Sequence, residues 1–183
     1  MKKITILTFL TVCSLQTFAQ DKIADELKAL ADNKDFDKIV TQYASRSADL
    51  SARSLYFVGL AYYMKEDDSN CLKFINLSIE KDPKDPQPHY IKASTLNYMQ
   101  RLDEAVKSFQ IAISLKPDDP VYYSGLGDSY CNMKNYELAI ASYKKSTEQK
   151  DPPERPFSMI AQAYSDLNDK EKALEAYYAA RSK

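Results

Sequence analysis

Along the chain, apolar and aromatic residues recur in steps of 3 and 4, broken by short polar joints. Between 120 and 153 the first set is Tyr123, Leu126, Tyr130 and Met133. After Lys134-Asn135 a second set follows, at Tyr136, Ala139, Ile140 and Tyr143. Such steps place the residues on one face of a helix, so the segment predicts two amphipathic helices joined by a tight polar turn.

The pattern repeats. Ala105, Ala139 and Ala173 lie 34 apart, as do Phe109, Tyr143 and Tyr177. Gly59, Ala93, Gly127 and Ala161 share the spacing, and so do Tyr62, Leu96, Tyr130 and Tyr164, and the pair Pro83 and Pro117. Several columns with one period define an internal repeat. Its units run 52–85, 86–119, 120–153 and 154–183, each with two helices. The small residues Gly127 and Ala139 mark close helix approach. Asp85-Pro86 and Asp119-Pro120 each put a capping carboxylate before a proline at the first helical position. Asp67, Asn135 and Asp169 suit the cap of the second helix, where Arg101 is a poorer choice.

The columns Pro117, Leu126-Gly127, Tyr130, Ala139 and Tyr143 resemble the tetratricopeptide repeat. That resemblance, over 52–183, implies an all-α fold, a right-handed α-solenoid of stacked antiparallel helix pairs. Departures are Asp151 in place of the expected Pro, Cys71 in place of a small Ala, and Lys92 in place of an apolar residue. The stretch 21–51 reads as a degenerate N-terminal helical pair, since Asp35-Phe36-Asp37-Lys38-Ile39-Val40 matches the start of a second helix and Tyr43 its aromatic. Its join to the next unit is two residues short of the period. At the other end Lys170 and Arg181 occupy apolar places of earlier units and read as a C-terminal cap. Leu174 and Tyr178 beside them leave a monomer or a weak dimer open.

Composition narrows the function. Twenty-five Lys+Arg against 26 Asp+Glu, a net charge of −1, argue against nucleic-acid binding. Three Gly leave little material for phosphate loops, and one His with 3 Cys little for a metal site. No cofactor, catalytic or metal motif is recognisable. His89 falls in the aromatic column of Tyr123 and Phe157 and reads as packing. Cys71 and Cys131 sit two units apart, beyond the reach of a disulfide if units advance by about 10 Å each. The acidic clusters Glu66-Asp67-Asp68 and Asp118-Asp119 read as capped turns.

The first residues form a separate segment. Met1-Lys2-Lys3, an apolar run Ile4–Leu15 and a small residue at Ala19 have the layout of a signal peptide, residues 1–19, cut after Ala19. The run is too short to span a bilayer. The paired lysines suggest a bacterial chain, so the expectation is a periplasmic or secreted protein without an integral span once cut. Leu10-Thr11-Val12-Cys13 resembles a lipobox, but Val12 stands where a small residue is wanted.

In the tetratricopeptide family the first helix of each unit lines an inner groove where ligands lie. Carried onto this chain, the groove holds Tyr56, Leu60, Tyr63 and Met64, then Tyr90, Asn97 and Tyr98, and turns polar at Ser124, Asp128, Cys131 and Asn132. A chaperone-type carboxylate clamp is not expected, because Tyr56, Leu60 and Tyr90 occupy its places. The competing reading is that the N-terminal pair packs over some of these tyrosines and makes them core. The functional expectation is an exported scaffold or adaptor, not an enzyme, that binds a protein or peptide partner. The alternative is an envelope-assembly subunit docked through its convex face or ends.

Overall fold

Helix starts follow the capping chemistry. In the computed structural model, which describes residues 22–181, the carboxylates of Asp85 and Asp119 accept from the N–H groups of Gln87 and Val121 at 3.0 and 3.1 Å. Asp67, Asn135 and Asp169 accept from Asn70, Leu138 and Lys172 in the same way. Arg101 makes no such bond and instead pairs with Glu104 through two bonds of 2.7 Å. The expected signal segment and Cys13 lie outside the described residues.

The helices are α1 (residues 22–32), α2 (Phe36–Tyr43), α3 (Ala52–Met64), α4 (Asp68–Lys81), α5 (Pro86–Tyr98), α6 (Leu102–Leu115), α7 (Pro120–Asn132), α8 (Tyr136–Thr147), α9 (Arg155–Asp166) and α10 (Lys170–Arg181). A 3-10 turn, Ala44–Asp49, follows α2 and is kinked at Arg46, and it takes up the short join before α3. Among the described residues there is no strand, and no helix is long and apolar enough to cross a membrane.

The turn inside each pair is one structure used five times. Lys34, Glu66, Gln100, Lys134 and Asn168 all hold φ near 60° (58 to 61°). In each turn the very next N–H, from Asp35, Asp67, Arg101, Asn135 or Asp169, reaches back to the carbonyl of Leu30, Tyr62, Leu96, Tyr130 or Tyr164, at 2.8 to 3.0 Å. This closes the helix end with a left-handed residue. A side chain there costs roughly 1–2 kcal/mol that Gly would avoid. The three glycines are used elsewhere, for close packing. A Cβ on Gly127 would lie 2.6 Å from the Tyr143 ring, and one on Gly125 would lie 2.4 Å from Phe109.

The described residues divide into two compact units, one up to Pro83 and one from Lys84. In the first, α2 packs on α3 and α3 on α4. Its core holds Leu27 and Ile39 from the N-terminal pair together with Leu55, Val58 and Phe74. In the second, each helix packs on the next from α5 to α10, and α5 also meets α7. Phe109, Tyr122 and Tyr143 are its largest fully buried side chains. Tyr122 corrects the sequence stripe, which ran through Tyr123. Because α7 is touched by α5, α6 and α8, its buried arc is wider than one stripe and includes Tyr122, Ser124, Leu126, Gly127 and Ser129.

Asp67→Ala should destabilise the first unit by about 0.5–2 kcal/mol, the usual worth of a cap. Its bonds from the Asn70 side chain and then the Asn70 backbone hold the carboxyl below its ordinary 3.8. The cap therefore contributes fully above the unfolded value and is lost as pH falls through the lowered one. Urea midpoints of the two proteins should differ at pH 7 and converge in strong acid.

Candidate functional site

The first helix of each repeat unit presents two columns that the sequence does not distinguish. Near the start lie Tyr56, Tyr90, Ser124 and Ser158, and at the end lie Met64, Tyr98, Asn132 and Asp166.

The starting column is mostly packing. Tyr56 is half-buried against the first core, its ring centre 5.2 Å from that of Phe57 in an edge-to-face arrangement. Leu60 is half-buried against the same core. Tyr90 lies between the Phe109 and Tyr122 rings at 6.1 and 5.4 Å, and Ser124 is buried. The end column is open throughout. Met64 is 51% exposed and Tyr98 67%, and Asn132 and Asp166 are exposed too. Tyr63 and Asn97 are half-buried.

Polar bonds tie the inner helices of the second unit together. Asn132 donates from Nδ2 to Oδ1 of Asn97 at 3.0 Å, joining α7 to α5. Tyr143 donates its hydroxyl to Asp128 at 2.7 Å. Arg155 donates from Nη1 to both oxygens of Asp128, at 2.6 and 2.5 Å, joining α9 to α7. Sequence reasoning placed Asp128 in the groove but missed Arg155. Its column also holds Arg53, which reaches back to Asp25 at 3.0 Å in the first unit. A basic residue at the second place of a unit, with an Asp some 27 or 28 residues earlier, is the signal that was available.

This network positions side chains on α7, α8 and α9. Burial pushes the Cys131 thiol up, opposed by the hydrogen bond from Tyr143. Burial and the bond to Asp128 hold the Tyr143 phenol far above its usual value. Both therefore stay protonated at neutral pH, and neither is a nucleophile or a base there. Cys71 and Cys131 stand as thiols, His89 is buried at the start of α5, and the described residues contain no group able to hold a metal ion.

Helix pairs recurring every 34 residues, each closed by one left-handed turn, define an all-α helical-repeat protein. The tetratricopeptide repeat model matches residues 86–119, 121–151 and 155–180, and the chain is a tetratricopeptide repeat protein. Two curated relatives share part of it. It is 33% identical over 95 residues to the Hsp70-Hsp90 organising protein of Plasmodium falciparum (isolate 3D7), covering 48% of this chain and 17% of that protein. It is 27% identical over 104 residues to the chloroplastic tetratricopeptide repeat domain-containing protein PYG7 of Arabidopsis thaliana, covering 55% of this chain and 35% of that protein. The chain thus spans well under half the length of either. Among solved structures, MamA of Desulfovibrio magneticus RS-1 superposes with a TM-score of 0.73 at 15% identity, over 91% of this chain and 94% of that one. Another crystal structure of MamA gives 0.71 at 20% identity, over 87% and 92%. These likenesses show the fold. Tetratricopeptide repeats are protein-interaction modules that bind protein partners.

Proposed function

We propose that the protein is an exported scaffold that binds an extended peptide segment of a partner protein along the inner helices, at the open ends of α5 and α7. The pairing of Asn97 with Asn132 carries this reading. One carbonyl oxygen and one N–H are used between them. Asn97 keeps two N–H donors and Asn132 keeps its carbonyl oxygen, the complement of a peptide N–H and C=O. Tyr98, two-thirds exposed beside Asn97, adds a large apolar surface with a hydroxyl, the side-chain type that most often anchors interfaces. Tyr63 and Met64 end α3 at the same register and are the corresponding candidates of the first unit. Tyr56, Leu60 and Tyr90 support the inner helices from within. Export rests on the Met1-Lys2-Lys3 start, the apolar run and Ala19.

The test begins with cross-linking in the native compartment, mass spectrometry to identify the partner, and titration of the peptide found. Asn97→Ala, Asn132→Ala and Tyr98→Ala together should weaken binding by roughly 10–100-fold, the loss of two hydrogen bonds and one anchor. Circular dichroism should be unchanged. Full affinity in the folded triple variant would refute the site. Mass spectrometry of the mature N-terminus should find Gln20 first, and an intact Met1 would refute export by cleavage.

A further inference from the structure

We infer that α10 is a dimerisation helix, which docks antiparallel on α10 of a second copy of this chain. The helix has two faces. Ala173, Ala176 and Ala180 are half-buried on the side that meets α9. Glu171, Leu174, Tyr178 and Arg181 are all exposed. Their steps of 3, 4 and 3 put them on a single stripe, the geometry of a helix seam. Leu174 is 56% and Tyr178 61% exposed, in a helix with no buried residue. Tyr177, the column-mate of fully buried Tyr143 and Phe109, is half exposed as well.

The stripe is self-complementary in one orientation. In an antiparallel pair centred on Ala176, Leu174 meets Tyr178 of the other copy and Glu171 meets Arg181, and the two-fold makes each contact twice. In a parallel pair Glu171 would face Glu171 and Arg181 would face Arg181. Head-to-tail assembly onto α1 is disfavoured by chemistry, since the exposed side of α1 carries Lys22, Asp25, Lys28 and Asp32. Arg181 is held ready by Tyr177, whose hydroxyl accepts from its Nη1 at 3.4 Å while the guanidinium lies 5.8 Å from the ring centre. A single helix crossing falls below the roughly 1,200 Å² of a stable interface, so the dimer is weak, with Kd of about 10 μM to 1 mM.

Sedimentation equilibrium of the full chain, over a concentration series, tests the inference. The parent should show a monomer–dimer equilibrium. Glu171→Arg and Arg181→Glu should each weaken it by about tenfold or more, because like charges then face each other across the seam. The double variant restores opposite charges and should recover the parent Kd. Recovery separates the contact from any loss of folding, and far-UV circular dichroism of each single variant checks the latter. A chain that stays monomeric throughout the series would overturn the inference. A dimer indifferent to both charges would overturn it too, and so would one that the double swap fails to restore.

Discussion

Replacing Tyr143 by Ala will lower the stability of the second unit by about 3–5 kcal/mol, the range for truncating a fully buried aromatic ring. The ring has no exposed surface and lies against the backbone of α7, where Gly127 leaves room for it. Its loss opens a cavity that the glycine cannot fill. Replacing it by Phe keeps the ring and removes the hydroxyl's bond to Asp128, which still holds Arg155, together with its weaker one to the Cys131 sulfur. That change should cost about 1 kcal/mol. Urea unfolding followed by circular dichroism separates the two, and an Ala variant within about 1 kcal/mol of the parent would contradict the packing described. The phenol also has a pH consequence. Its folded pKa lies far above the ordinary 10.0, and burial pushes Tyr43 up to about 12. Raised tyrosines contribute fully below the unfolded value and lose that contribution as pH rises, so the alkaline decline should begin near pH 10 and soften in Tyr143→Phe.

Leu27→Ala will cost the first unit about 2–5 kcal/mol. Leu27 is fully buried among Ile39, Leu55, Val58 and Phe74. If 22–51 were only a polar cover over a core complete without it, the change would be near neutral. The expected loss makes the N-terminal pair part of that core. The measurement is the urea midpoint of Leu27→Ala beside that of Lys28→Ala, an exposed neighbour paired only with Asp32 and worth little.

Much of the architecture was legible in the chain. The 34-residue columns placed the helices, and Asp67, Asp85, Asp119, Asn135 and Asp169 cap them where their chemistry suggested. Arg101 lacks a cap bond, as its side chain dictates. These are local properties: a helix period, a proline without an N–H, and a carboxylate within reach of the next turn. The left-handed residues between helices were less legible, because Lys34, Glu66, Gln100 and Lys134 are not glycines and carry no turn signature of their own.

The candidate site was legible as a set of helices and not as a surface. Tyr56, Tyr90 and Tyr98 belong to one composition class, yet two are packed and one is two-thirds exposed. Tyr122 and Tyr123 are adjacent and chemically identical, and only the first is buried fully. A helical period assigns a residue to a face, but how many neighbours touch that face depends on helices distant in sequence. The chain alone established repeat length, helix order and caps, since the first is written in columns of the sequence itself and the others rest on contacts within a few residues. Packing decided which tyrosines are core, that Arg155 reaches Asp128, and that Asn97 and Asn132 meet, because each joins helices whose separation no local pattern encodes.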